Sequence, residues 1–322
     1  HEIEKQSEQK SKRGSGESLA VKKEGAGQIV VIGLPNSGKS TALHALTGVD
    51  VEISDYPFTT IKPEIGMMAF AGTKIQFVEI PALMSGSADG KANGPQLLSL
   101  IRTADAVVVV LDGESAVDEF NTLQTELTKA GIFLNRHRPR IMIKPTNTKN
   151  ISIAGKQYLK MPYDEFLAFL RDNGYPHCDV IIEEDLYDLK QVFEALDERL
   201  VYKKALCLLN FKGTTIQPVD GIKFKTVSFS NPSELLAFKP DLFALLEKIL
   251  VYTKRPGQKA SLESPLVLKQ GSTIVEFASN LHKDFAQNLK HAKLFGPNAK
   301  FEGQRIQQEY VLQNNDIIEI QA

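Results

Sequence analysis

The chain has 322 residues, 42% of them hydrophobic, and a formal net charge of −1. That length supports two or three domains with real cores, while the even charge balance excludes any global pull toward nucleic acid, so an RNA contact must come from a local patch. No stretch approaches about 18 uninterrupted apolar residues, and the N-terminus has no apolar core of a signal peptide. The expectation is a cytoplasmic protein with no membrane partner. Cys178 and Cys207 match no metal or redox spacing and read as small buried residues of a reducing compartment. The chain begins at His1 rather than methionine, so sequence upstream of it is expected.

Residues 1–27 are polar, Gly/Ser-bearing and mixed in charge, and read as a flexible segment without a fold of its own. Residues 29–32 make a short buried strand, and 41–46 read as helix. Between them Gly33-Leu34-Pro35-Asn36-Ser37-Gly38-Lys39-Ser40 fits the phosphate-loop pattern GxxxxGK[ST] in full and in the strand–loop–helix order that pattern requires. Its glycines let backbone N–H groups close around phosphate oxygens, and the helix that begins near Thr41 turns its positive end toward them. Lys39 is then expected to reach the β- and γ-phosphates and Ser40 to ligate Mg²⁺.

Past the polar loop Asp55-Tyr56-Pro57-Phe58-Thr59-Thr60, strands are expected over 65–70 and 74–80, joined as a hairpin. The Gly-rich stretch 79–94 follows, then helix over 95–103, a buried parallel strand over 106–111 and helix over 117–130. Strands alternating with helices predict a doubly wound α/β sheet with its ligand at the C-terminal strand ends. From residue 135 the pattern changes. Short strands at 140–143 and 151–153, helix at 163–172, strand at 178–182 and helix at 186–195 read as an insertion. Two apolar strands, 205–210 and 223–229, return the chain to the first sheet, and a helix over 242–250 follows with Asp241 at its cap. After a linker at 254–257 comes a small mixed α/β module.

Asp55–Thr60 and Glu79–Gly94 (EIPALMSGSADGKANG) resemble the switch regions of the Obg superfamily of GTP-binding proteins. The insertion, the HKDF at 282–285 and the closing NNDIIEI at 314–320 are similar to the developmentally regulated GTP-binding (DRG) branch, whose chain ends in a TGS domain. The resemblance covers residues 28–322. It implies an α/β P-loop GTPase-like domain (28–134 and 205–254), an inserted small α+β domain (135–204) and a C-terminal TGS domain of ubiquitin-like β-grasp fold (262–322). It also implies that Thr60 meets Mg²⁺ and the γ-phosphate, with Thr59 the alternative register. Asn36 matches a loop asparagine that ligates K⁺ in potassium-activated relatives, though a plain turn asparagine reads equally well.

The departures from the family pattern carry information of their own. Its DxPG segment is here Glu79-Ile80-Pro81-Ala82. Glutamate keeps the charge but adds a methylene, which displaces its hold on Mg²⁺-bound water. Ala82 still offers an N–H to the γ-phosphate, but not glycine's backbone angles. Leu83 stands where no water-positioning Gln or His is found, so hydrolysis is expected to be slow. The guanine-reading NKxD becomes Asn210-Phe211-Lys212-Gly213, losing the carboxylate that accepts two hydrogen bonds from the base. Ser228 opens a segment only partly like the usual last base-contacting loop. The nucleotide-contacting set is therefore Asn36, Ser37, Gly38, Lys39, Ser40, Thr41, Thr60, Ala82, Asn210, Phe211 and Ser228, with Ser40, Thr60 and Glu79 around the metal. GTP and GDP are the expected ligands, and ATP is the alternative.

The resemblance brings in the ribosome or structured RNA as partner, and a regulatory protein beside it. Residues 135–160 hold Arg136, Arg138, Arg140, Lys144, Lys149, Lys156 and Lys160 and no acid. They read either as a phosphate-backbone contact or as a solvated surface balanced by acids elsewhere in the fold. His282 reads as a helix-start residue rather than a ligand.

Overall fold

The structure is a computed structural model that describes residues 21–48, 51–53, 62–113, 115–210, 224–229 and 231–321. Thr59, Thr60, Phe211 and Gly213 lie outside the described residues. Residues 127–203 form one compact unit, and the chain on either side of them forms the other.

In the larger unit, β1 (Gln28–Ile32) is buried along its whole length, as a β-branched run with no polar face requires of a central strand. It pairs in parallel with β4 (Thr73–Glu79) and with β5 (Ala106–Asp112). β5 pairs with β10 (Val201–Asn210), and β10 with β11 (Phe224–Val227), again in parallel. On the opposite edge β3 (Glu64–Phe70) and β2 (Val51–Ile53) run antiparallel. The sheet order is β11-β10-β5-β1-β4-β3-β2, the expected α/β arrangement. Ala71 and Gly72 both take positive φ, 45° and 80°, giving the tight two-residue turn that suits twisted hairpin strands. Val107 to Leu111 on β5 are all buried, each such side chain contributing about 1.5–3 kcal/mol by leaving water. The first helices in chain order are α1 (Lys39–Thr47), α2 (Gly94–Thr103) and α3 (Ala116–Lys129).

The helix expected over 242–250 is not formed as such. The helix spans Lys239–Ala244, with Asp241 in its first turn rather than at its cap; Glu247 takes a φ of 51°, and β12 (Lys248–Thr253) is a strand. The reason is a period-two pattern. Ile249 and Val251 pack into one core with Phe277 and Leu294, while Leu250 and Tyr252 pack into the main-sheet core with Leu246 and Val227. A strand with both faces buried satisfies the two cores at once, which a helix at this position does not. β12 belongs to a five-stranded sheet with β13 (Leu266–Lys269), β14 (His291–Phe295), β15 (Gln304–Ile306) and β16 (Asp316–Gln321), ordered β13-β12-β16-β14-β15. That sheet begins upstream of residue 262, and the linker at 254–257 lies inside it. Thr273 and Glu276 form a capping box on its helix Ile274–Leu281. His282 Nδ1 accepts the Asp284 N–H at 3.3 Å, the helix-start role expected of it.

In the smaller unit, β7 (Ile141–Pro145), β9 (Cys178–Ile182) and β8 (Ile151–Ala154) form a three-stranded sheet in that order. Phe166, Phe169 and Leu170 of the helix Tyr163–Asp172 pack with Cys178, Val180 and Ile182 into its core. An unforeseen short strand, β6 (Ile132–Leu134), pairs with the first residues of β10. Both cysteines are free and buried. Among the described residues no helix is long and apolar enough to cross a membrane.

Candidate nucleotide-binding site

The parallel strands end along one edge of the main sheet. Val31 is level with Glu79, and Asn210 is level with both Asp112 and Val227. Gly33, Glu79, Asp112, Asn210 and Ser228 thus stand at or just past neighbouring C-terminal strand ends, where an open α/β sheet binds its ligand.

The loop after β1 is built for close backbone approach. A Cβ on Gly33 would lie 2.5 Å from Ser37 Oγ and 2.6 Å from the Val110 carbonyl, so only glycine fits there. Asn36 and Gly38 take φ of 64° and 95°, which turns successive backbone N–H groups inward. The first turn of α1 holds no acidic residue, leaving its positive end free to meet an anion. Lys39 is buried, and its Nζ donates to the Leu34 carbonyl at 3.0 Å. Burial holds its pKa below the ordinary lysine value, opposed by the charges of Glu79 and Glu119. Thr41 follows on the exposed side of the same turn.

Where the metal is expected, the Ser40 hydroxyl donates to Glu79 Oε1 at 2.8 Å. Burial raises the Glu79 pKa, and so does nearby Glu64; the Ser40 hydrogen bond, Lys39 and His44 pull it back. Glu79 Oε2 is buried and finds no hydrogen-bond partner among the described residues, and the same is true of Ser37 Oγ. Leaving a buried carboxylate oxygen unpaired is costly. A hydroxyl and a carboxylate converging beside an unpaired oxygen fit Mg²⁺, which is a hard cation taking oxygen ligands and water.

Ala82, half-buried, is not among the residues with positive φ, while Leu83 beside it is 1% exposed. Of the residues expected on the base side, Asn210 ends β10 and Ser228 follows β11. Phe229, next to Ser228 in the segment read as the last base-contacting loop, makes a contact the sequence did not foresee. It is 4% exposed, and its ring carbons lie 3.0 and 3.1 Å from where a Gly38 Cβ would stand, with Asn210 Nδ2 at 3.7 Å. The phosphate loop thus leans directly on the base-side segment. The apolar run before Ser228 pointed only to a strand and gave no sign of this contact.

The basic stretch is largely spent inside its own unit. Arg136 pairs with Glu194 at 2.8 Å, and Arg140 with Glu184 at 3.2 Å. Arg138 donates to the carbonyls of Glu194, Ala195, Asp197 and Leu200, and Lys160 lies 3.5 Å from Asp185. Lys144 and Lys149 are exposed, and Lys156 lies over the Tyr163 ring. Of the two readings of this stretch, the geometry favours charge balanced within the fold over a seven-cation RNA contact.

The family model for the 50S ribosome-binding GTPase matches residues 28–144, and that for the TGS domain matches residues 249–322. An uncharacterized GTP-binding protein of Methanocaldococcus jannaschii is 30% identical over 312 residues, covering 94% of this chain and 79% of that protein. A second such protein, from Halobacterium salinarum, is 27% identical and covers 99% of this chain and 89% of its own. Developmentally-regulated GTP-binding protein 2 of Homo sapiens is 27% identical, with 97% and 87% covered. By these matches the chain belongs to the DRG type of the Obg superfamily of GTP-binding proteins, with a GTPase domain and a C-terminal TGS domain.

Proposed function

We propose that this protein is a cytoplasmic guanine-nucleotide switch that binds GTP and GDP with Mg²⁺, hydrolyses GTP slowly, and acts on the ribosome or on structured RNA under a regulatory protein. The observation that carries the reading is the pairing of Ser40 with Glu79 beside a Glu79 Oε2 that has no partner among the described residues, directly after a loop shaped for phosphate. Ser40 and Glu79 would hold the metal, with Thr60 the third residue assigned to it. Bound Mg²⁺ would neutralise charge on the phosphate oxygens.

The chain's own residues do the rest. Lys39 exchanges the Leu34 carbonyl for phosphate oxygens, and the N–H groups around Ser37–Thr41 orient them. The Ala82 N–H and Thr60 sense the third phosphate and order their loops, and its loss releases them. Beside Ala82 stands Leu83, buried and apolar, rather than a residue that positions water; slow turnover follows. Asn36, held in the left-handed turn, is the residue that would carry K⁺ dependence. Asn210, Phe211 and Ser228 form the base side. Gly213 stands where the base-reading carboxylate is expected, which favours an ATP-using relative as the second reading; the remaining one is a scaffold, nucleotide-bound or nucleotide-free, without turnover.

Ribosome co-sedimentation tests the switch. The wild-type protein should associate differently with a non-hydrolysable GTP analogue than with GDP, and Lys39→Ala should erase that difference. An identical nucleotide response in Lys39→Ala overturns the reading.

A further inference from the structure

Helix α3 carries Glu119 and Glu126 seven residues apart, hence on one face. Glu119 works at the end of β5: its Oε2 accepts the Asp112 N–H and its Oε1 the Ser115 hydroxyl, each at 3.0 Å. Two turns further along, Glu126 is 2% exposed and reaches a different segment. Its Oε1 accepts the Gly86 N–H at 3.0 Å, and its Oε2 accepts the Ala88 N–H at 2.8 Å. Both amides belong to the Gly-rich stretch that follows Glu79 and Ala82.

That stretch is wound tightly on its own account. Gly86 has a φ of 89°, and its carbonyl accepts the Lys91 N–H at 3.0 Å. The buried Ser87 hydroxyl accepts the Met84 N–H at 3.0 Å. A Cβ on Gly94 would lie 1.9 Å from the Ser87 carbonyl, so helix α2 starts against the turn's backbone. A carboxylate buried this far is tolerated only when its oxygens are bonded, and bonds from N–H to an ionised acceptor are about twice as strong as neutral ones.

We propose that Glu126 is a positioning residue, whose carboxylate latches the loop at Gly86 and Ala88 to helix α3 and so sets the loop state from which Ala82 meets the third phosphate. The consequence for nucleotide discrimination rests on the switch reading above; the latch itself does not.

Glu126→Gln tests it, since the amide keeps the shape but offers one acceptor and sets its NH₂ against a loop N–H. Hydrogen exchange is followed across residues 84–94 in the nucleotide-free protein, with GDP, and with a non-hydrolysable GTP analogue. In the nucleotide-free variant, Gly86 and Ala88 should exchange about tenfold faster than in wild type, with β1 and β5 unchanged. The ratio of GTP-analogue to GDP affinity should shift by about threefold or more. Unchanged exchange in a folded variant overturns the proposal. If the variant fails to fold, the wild type decides: Gly86 and Ala88 exchanging at unprotected rates refute the latch, and strong protection at both supports it. If wild-type exchange in this loop ignores the nucleotide while Glu126→Gln still speeds it, the switch reading fails and the latch stands.

Discussion

Ser40 and Glu79 stand 39 residues apart in sequence and meet in a 2.8 Å hydrogen bond that ties the start of α1 to the end of β4. The bond answers one carboxylate oxygen and leaves the other buried without a partner among the described residues. A hydroxyl and a carboxylate meeting in this way suit a hard cation.

Burial raises the folded-state pKa of Glu79 above its value in the unfolded chain. The folded protein then holds more proton between those two values. The resulting contribution to stability is complete below the ordinary glutamate range and is lost as pH rises through the raised folded value. In the nucleotide-free protein, Glu79→Gln should therefore gain in Tm over wild type as pH rises through that window. Added Mg²⁺ and nucleotide should reverse the order, because they stabilise the ionised carboxylate and leave the amide behind. Thermal melts of both proteins across pH, with and without ligand, check the sign.

Gly33→Ala should lower stability by about 1–3 kcal/mol and weaken nucleotide binding together, because overpacking at this point pushes the loop itself. The new Cβ would stand within 2.6 Å of both Ser37 Oγ and the Val110 carbonyl. Urea denaturation gives the first quantity and a nucleotide titration the second.

Arg138→Ala should cost the inserted unit about 2–4 kcal/mol, since it strands carbonyls that the guanidinium satisfies. Arg138 serves four of them, from Glu194 to Leu200, and lies 5.3 Å over the Tyr202 ring. Affinity for nucleotide should stay at the wild-type value. The same measurements on Lys144→Ala with Lys149→Ala should show the opposite pattern: stability unchanged, and any RNA affinity reduced, with a shallower salt dependence.

Much of the main sheet was legible, because buried parallel strands read as unbroken apolar runs and the phosphate loop has a fixed spacing. Residues 163–172 and 178–182 took their expected forms, as the amphipathic period predicted. The strand at 248–253 was not legible: Ile249 to Tyr252 suits a buried helix equally well until a second core is known to cover the other face. Arg138 read as a surface cation because sequence shows charge and not the carbonyls that surround it. Glu126 escaped notice for a related reason. A glutamate on a polar helix is a solvent residue by default, and only the loop folded against it, distant in sequence, gives it two partners. The contact of Phe229 with Gly38 was hidden in the same way, since strand order brings the two segments together.

The measurement that bears most directly on the central claim is equilibrium binding of fluorescent GTP, GDP, ATP and ADP with Mg²⁺, in potassium and in sodium, on the wild type and on Lys39→Ala. The account predicts Mg²⁺-dependent binding with guanine nucleotides preferred, and a loss of about hundredfold or more in Lys39→Ala, where the charge-assisted hold on the phosphates is gone. Equal affinity for ATP and GTP would replace the guanine switch with a loosely selective nucleotide-binding protein. Binding that ignores both Lys39 and Mg²⁺, or no binding at all, would contradict the account.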